Sequence, residues 1–177
     1  MTSPETPRYR VHPSPIGDIM IVEREGSLMT VHPFDGPVYA EVARLSMWLR
    51  AAVEQQHPER ENDVISETIT QLEQYFAGER EAFELPLDWS TVRGFTRDAL
   101  EAVCEIPYGE TAGYGEVAIA AGSPRAARAV GTACAHTPFS IVVPVHRVVR
   151  ADGSLGEYGG HPEIKKHLID LERRTSE

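Results

Sequence analysis

Apolar and polar positions alternate near the N-terminus and then change to helical spacing. Residues 8–12 alternate, 19–23 form an apolar run, and Glu25-Gly26-Ser27 makes a turn before alternation resumes over 28–32. That pattern predicts two or three short antiparallel strands. Over 38–53 the apolar residues Val42, Leu45, Trp48, Leu49 and Val53 share a helical face. Residues 56–64 are polar, contain Pro58 and are expected to loop out. A second helix is expected over 66–76, with Ile69, Leu72 and Phe76 on one side and Gly78 past its end. Residues 83–87 suit a closing strand.

Beyond residue 90 the pattern becomes mostly helical. Phe95, Leu100, Val103 and Ile106 mark a helix stopped by Pro107 and Gly109. Residues 114–121 form a short helix ending at Gly122. Ser123 is a good N-cap and Pro124 suits a first helical position, so a further helix is expected over 124–134. Helix, glycine turn and helix make a helix-turn-helix. The second of these helices is rich in small residues, among them Ala127, Ala129 and Gly131, which allow close approach to a helix or a groove. A last helix over 162–173 is expected to bury Ile164, Leu168 and Leu171. The fold class expected is α+β. It has an N-terminal α+β domain over 1–90 with a small antiparallel sheet, and a mainly helical, winged-helix-like C-terminal domain over 91–177.

Composition adds limits. Of the residues 41% are hydrophobic and 25% charged, ordinary for a soluble globular protein. No stretch approaches the roughly 18 apolar residues of a membrane helix, and MTSPETPRYR lacks the apolar core of a secretion signal. The two cysteines, Cys104 and Cys134, have no metal spacing, which points to a reducing cytoplasm and no disulfide framework; no cofactor is expected. His12 and His32, in the strand region, could approach each other, but without cysteines beside them zinc is not expected. His136, His161 and His167 read as surface or loop residues.

The net charge of −10 argues against nucleic acid until its distribution is considered. Residues 1–92 carry 7 basic and 16 acidic side chains; residues 93–177 carry 10 and 11. No acid lies between Glu116 and Asp152, where Arg125, Arg128, Arg147 and Arg150 fall. Phosphate binding follows the local field, so this segment can face DNA.

Pro144-Val145-His146-Arg147-Val148 resembles the active-site Pro-Cys-His-Arg-Val of the O6-alkylguanine-DNA alkyltransferases. The likeness extends over nearly the whole chain. It includes Ser14-Pro15-Ile16-Gly17, Tyr75-Phe76-Ala77-Gly78-Glu79, Ile106-Pro107-Tyr108-Gly109-Glu110-Thr111, Tyr114-Gly115-Glu116-Val117-Ala118, Ala126-Ala127-Arg128-Ala129-Val130-Gly131, Tyr158-Gly159-Gly160, then Lys165 and 168–172. The resemblance implies a minor-groove recognition helix and a flipped-out guanine, with Arg128 filling the vacated space. Tyr114 takes the place of the residue that pushes on the flipped nucleotide's phosphate; a helix-start aromatic packed in the core is the competing reading. Ser123, Arg125, Ala127, Ala129, Gly131 and Arg147 complete the expected DNA surface. Cys134, Val145, Val148, Tyr158, Gly159 and Gly160 are the expected alkylguanine pocket. The partner implied is double-stranded DNA bearing O6-alkylguanine, met by a monomer.

The resemblance breaks at the nucleophile. The family's cysteine attacks the alkyl carbon, helped by a histidine and a glutamate, whose places His146 and Glu172 hold. Val145 stands at the cysteine's place and cannot accept an alkyl group. Thr137 replaces a bracing asparagine, which is expected to loosen the active-site turn and limit any rescue by Val145→Cys. The similarity is then to alkyltransferase-like proteins, which hold the lesion for nucleotide excision repair. Three alternatives stay open: an engineered silencing of a methyltransferase, transfer through Cys134, and a helix-turn-helix regulator of undamaged DNA. Cys104 is expected to be inert core.

Overall fold

The computed structural model describes residues 5–57 and 63–176, in two compact units, Met1–Asp88 and Trp89–Glu177. Residues 1–4 of the opening segment and 58–62, including Pro58 of the expected loop, lie outside the described residues.

In the first unit β1 (Arg8–Ser14), β2 (Gly17–Arg24) and β3 (Ser27–Pro33) form an antiparallel meander. The apolar run expected over 19–23 is buried throughout in β2, from Ile19 to Glu23, whereas the alternation expected over 28–32 gives way in β3, where Leu28 through Val31 are all buried. Both faces of the central strand, β2, are covered. On one face Met20, Val22 and Met29 pack with Leu45 of α1 (Val38–Leu49). Against the sheet also lies α2 (Val64–Phe76), and burial of a side chain such as Ile19 or Ile21 contributes about 2 kcal/mol. Asp63 caps α2 by accepting from the Ser66 backbone N–H at 2.9 Å, so the helix starts two residues earlier than its apolar pattern.

Three expectations fail here for identifiable reasons. α1 stops at Leu49, because Arg50 adopts φ 52° and bonds back to Met47. The chain then runs extended as β4 (Glu54–Gln55), parallel to β1, with order β3-β2-β1-β4. Residues 83–87 do not form a strand: Leu28 makes only an isolated bridge, donating to Pro86 and accepting from Asp88. Pro86 has no N–H with which to extend it. His12 and His32 do not approach. His12 registers with Ile19 and His32 with Met20, so β2 separates them and they face opposite sides of the sheet. His12 Nε2 lies 3.7 Å from Glu73, and His32 Nε2 lies 2.5 Å from Glu41.

The second unit contains α3 (Gly94–Cys104), α4 (Tyr114–Ala120), α5 (Ala127–Ala135) and α6 (Pro162–Thr175). A two-strand parallel ladder joins β5 (Ala112–Gly113) to β6 (Val148–Val149), pairing Ala112 with Val148 and Gly113 with Val149. Ser123 does not cap α5. Its N–H bonds to Ala118 and that of Gly122 to Ile119, with Gly122 at φ 82°, so both residues finish α4. The chain then makes a turn from Ser123 to Ala126, and α5 begins at Ala127. Cys104, at the end of α3, is exposed rather than core; Val103 and Ile106 turn inward in its place. On α6 Ile164 is only half-buried, while Lys165 is 1% exposed. No described helix is long and apolar enough to cross a membrane.

Gly109 ties α3 to the end of α6. It adopts φ 78° in the turn closed by Glu110 N–H to Pro107, and a Cβ there would lie 2.9 Å from Ser176 Cβ. Gly109→Ala is expected to destabilise the fold by about 2 kcal/mol through backbone strain and this clash. Urea unfolding measures it, and an unchanged midpoint would show that the turn relaxes freely.

Candidate functional site

Pro144 precedes a three-residue 3-10 turn, Val145–Arg147, which runs directly into β6. The turn packs on α6 and α3, and all three of its side chains are buried, Val145 at 3% exposure and His146 at 0%. So tight a turn sends consecutive side chains inward in different directions.

Glu172 of α6 receives two of them. His146 Nε2 lies 2.6 Å from Oε1. Arg147 donates through Nε to Oε2 at 2.9 Å and through a terminal nitrogen to Oε1 at 3.1 Å. Its other terminal nitrogen donates to the Ile106 carbonyl at 2.6 Å, and its guanidinium stacks 5.6 Å from the Tyr108 ring centre. The Gly109 N–H adds a fourth donor to the carboxylate at 3.2 Å. Arg147 is therefore not a DNA-facing residue: its guanidinium is spent on a buried carboxylate that would otherwise be unpaired. Burial alone would raise the Glu172 carboxyl, but the bonds from His146 and Arg147 override it and hold it at about 2. Burial keeps His146 below its ordinary value despite Glu172 beside it, so the imidazole is neutral at pH 7.

The segment before Pro144 is shaped by strain. Ile141 has φ 70°, a conformation that β-branched residues rarely adopt. Val142 N–H bonds to the Ser140 carbonyl at 2.8 Å and Val143 N–H to that of Phe139 at 2.9 Å. Thr137 does not leave this turn untethered, because its hydroxyl accepts from the Phe139 N–H at 3.2 Å. Phe139 is fully buried, edge-on to Trp89 at 5.4 Å.

The β5–β6 ladder sets Tyr114, the first residue of α4, beside this turn. The Tyr114 ring is half-buried: a Cβ on Gly131 would lie 3.8 Å from it and one on Gly156 would lie 3.1 Å from its hydroxyl. Cys134 interacts with Tyr114, Tyr158 and Lys165. Burial pushes the Cys134 thiol up to about 12. The Tyr158 hydroxyl is buried without a well-formed hydrogen bond, the Ser140 side chain being the polar group that acts on it. Val148 is fully buried, whereas Gly159 and Gly160 are exposed at φ 55° and 83°. The structure thus gathers Cys134, Val148 and Tyr114 around Lys165, which sequence reasoning did not single out for the site, and sets Tyr158 beside Cys134.

On the outer side of α5, Arg128 and Ala129 are exposed, and Ala127 and Gly131 half-buried. Arg125 is exposed in the preceding turn and Ser123 half-buried. Among the described residues no group of three or more His, Cys, Asp or Glu side chains could hold a metal ion.

The Glu172 contacts make stability acid-sensitive. Both His146 and Glu172 titrate lower in the fold than their ordinary values of 6.5 and 4.5. Each group therefore stabilises the fold above its ordinary value and loses that contribution as pH falls. Urea midpoints are expected to decline from pH 7 to 4, with a steeper loss below 4.5. Arg147→Met should cost about 3–5 kcal/mol at pH 7 by leaving the carboxylate short of its partners; a flat pH profile for the unsubstituted protein would contradict this account.

Comparison with known proteins is consistent with this geometry. Residues 8–89 match the model described as "6-O-methylguanine DNA methyltransferase, ribonuclease-like domain", and residues 94–174 match its "DNA binding domain". A methylated-DNA–protein-cysteine methyltransferase of Methanosarcina barkeri is 36% identical over 94% of this chain and 98% of its own. One from Mycolicibacterium paratuberculosis is 51% identical over 61% of this chain and 65% of its own. The crystal structure of Mycobacterium tuberculosis OGT in complex with DNA superposes with a TM-score of 0.79 at 35% identity, covering 95% of this chain and 94% of that one. With both halves matched in order, and a relative shared over almost the full length, the chain belongs to the 6-O-methylguanine DNA methyltransferase family.

Proposed function

We propose that this protein holds O6-alkylguanine bases flipped out of duplex DNA and does not take up their alkyl group. The observation that carries the reading is Val145. It lies buried in the 3-10 turn next to His146, whose imidazole bonds to Glu172, at the place where the family's cysteine nucleophile is expected. An isopropyl group has no lone pair and no ionisable proton, so the helper pair has nothing to activate. The apolar side chain leaves room for an alkyl substituent and offers it dispersion contact, worth about 0.8 kcal/mol per buried methylene.

The recognition surface accords with that role. Arg128 and Arg125 are free of ion pairs to any described acid and stand exposed around small side chains, as shallow minor-groove packing requires. Apart from Arg128, the described α5 face carries no long polar side chain of the kind that reads major-groove edges, which disfavours a regulator of undamaged DNA. The protein works as a monomer that marks the lesion for nucleotide excision repair proteins.

Transfer through Cys134 is the second reading, favoured by that cysteine's place beside Tyr114 and Tyr158. Burial pushes that thiol up to about 12, so almost none of it is thiolate at pH 7, which weighs against transfer.

Gel shifts with O6-methyl-, O6-ethyl- and O6-benzylguanine duplexes are expected to show tighter binding than to undamaged DNA, strongest for the larger adducts. Intact mass after incubation should be unchanged; a gain of one methyl on any side chain would overturn the reading. Arg128→Ala should lower lesion affinity by roughly 1–3 kcal/mol, the scale of an inserted side chain that offsets unstacking, without altering the urea midpoint. Val145→Cys is expected to gain some methyl transfer, since His146, Glu172 and the Thr137 hydrogen bond are all in place. Complete inertness of that variant would show that more than the sulfur has been lost.

A further inference from the structure

Helix α1 carries more apolar surface than its own unit covers. Nine of its twelve residues are apolar, and only Glu41, Arg44 and Ser46 are polar. A helix that is apolar on all sides belongs in an interior, yet on α1 Leu45 alone is fully buried. Met47 stands 81% exposed and Tyr39 79%, and Trp48 and Val38 are also open to solvent. At about 100° per residue, Ala40, Ala43 and Met47 fall along the side opposite Leu45, with Tyr39 and Trp48 flanking them. That spacing of i, i+3 and i+7 is the one by which a helix receives a second helix. Contiguous exposed apolar surface of this kind marks a site of contact.

The charges around this face decide what covers it. Glu41 is the one carboxylate of the helix, and it is turned inward, bonded to His32 at 2.5 Å and to Arg44 at 3.1 Å. The Arg44 side chain stays 59% exposed. Arg50, exposed at the helix end, has no ion pair among the described residues. The exposed charge of the helix and its cap is therefore positive, although residues 1–92 carry 16 acids against 7 bases. Duplex DNA is repelled by that acidic half and gains nothing from an apolar stripe. A second copy is disfavoured as well. A two-fold pairing centred on Ala43 sets the two Arg44 side chains close together, and the only carboxylate of each helix is already engaged. We propose that α1 is the docking face for a protein partner that presents an amphipathic helix, apolar along one side and bordered by aspartate or glutamate. The apolar side covers Met47 and the two alanines between the aromatic flanks, and the carboxylates reach Arg44 and Arg50. The surface belongs to the first unit and does not depend on what the second unit holds.

The test uses two synthetic peptides of about 18 residues, or roughly five helical turns. Both carry the same leucine and alanine face; the first has glutamate on its flanks and the second lysine. Fluorescence anisotropy with the full chain at low salt is expected to show the glutamate peptide binding about tenfold tighter. The net charge of −10 favours the lysine peptide instead, so the local and the overall field predict opposite orders. Met47→Glu should abolish binding of the glutamate peptide. Arg44→Gln, which leaves Glu41 its bond to His32, should remove most of the preference. Urea midpoints close to that of the unsubstituted protein confirm folding of both variants, and neither should change affinity for duplex DNA. Binding by neither peptide, equal binding of the two, a preference for lysine, or binding that survives Met47→Glu overturns the inference. A dimer of the free chain in sedimentation that Met47→Glu dissociates overturns it too, because a second copy is then the occupant. Loss of duplex affinity in Met47→Glu does the same by giving the face to DNA.

Discussion

A single buried carboxylate organises the second unit. Glu172 gathers His146, Arg147 and the Gly109 backbone onto α6, and Arg147 carries the connection on to the Ile106 carbonyl at the end of α3. Without that carboxylate the 3-10 turn would hold a buried guanidinium with one acceptor fewer and an imidazole without its orienting partner. The desolvation of these groups is offset because every charge in the cluster is met by a directed hydrogen bond. The position of Val145 is thus a by-product: it sits where it does because its two successors are anchored.

The two units divide the work of electrostatics. The first collects most of the surplus negative charge around a sheet covered on both faces. The second spends its arginines unequally, burying Arg147 and leaving Arg125, Arg128 and Arg150 exposed. Family members share this layout of a sheet-bearing half and a helical half, as the matched residues 8–89 and 94–174 show.

Much of the fold could be read from spacing. The meander, α1, α2, α3 and α6 follow from runs of apolar residues at periods of two and 3.6, and the α+β class follows from their order. Elements of two residues, β4, β5 and β6, are too short to carry a period and went unseen. Ser123 misled because a good capping side chain also suits the tail of a preceding helix, and there its backbone was already engaged. Arg147 misled because charge suggests a surface, and a 3-10 turn has no periodicity to say otherwise. Lys165 had a legible signal: 165, 168, 169 and 172 follow the i, i+3, i+4, i+7 stripe of one helix face, with Leu168 and Ile169 inside it. A lysine and a glutamate in an apolar stripe mark an interior with chemistry in it.

Ile141 couples two demands that pull in opposite directions. Its backbone conformation favours glycine, yet its side chain is 1% exposed and fills part of the interior. Replacing it with glycine would relieve strain of about 1–3 kcal/mol while opening a hole of comparable cost. The position therefore sets backbone strain against interior packing, and a single melting temperature reports only the difference between the two.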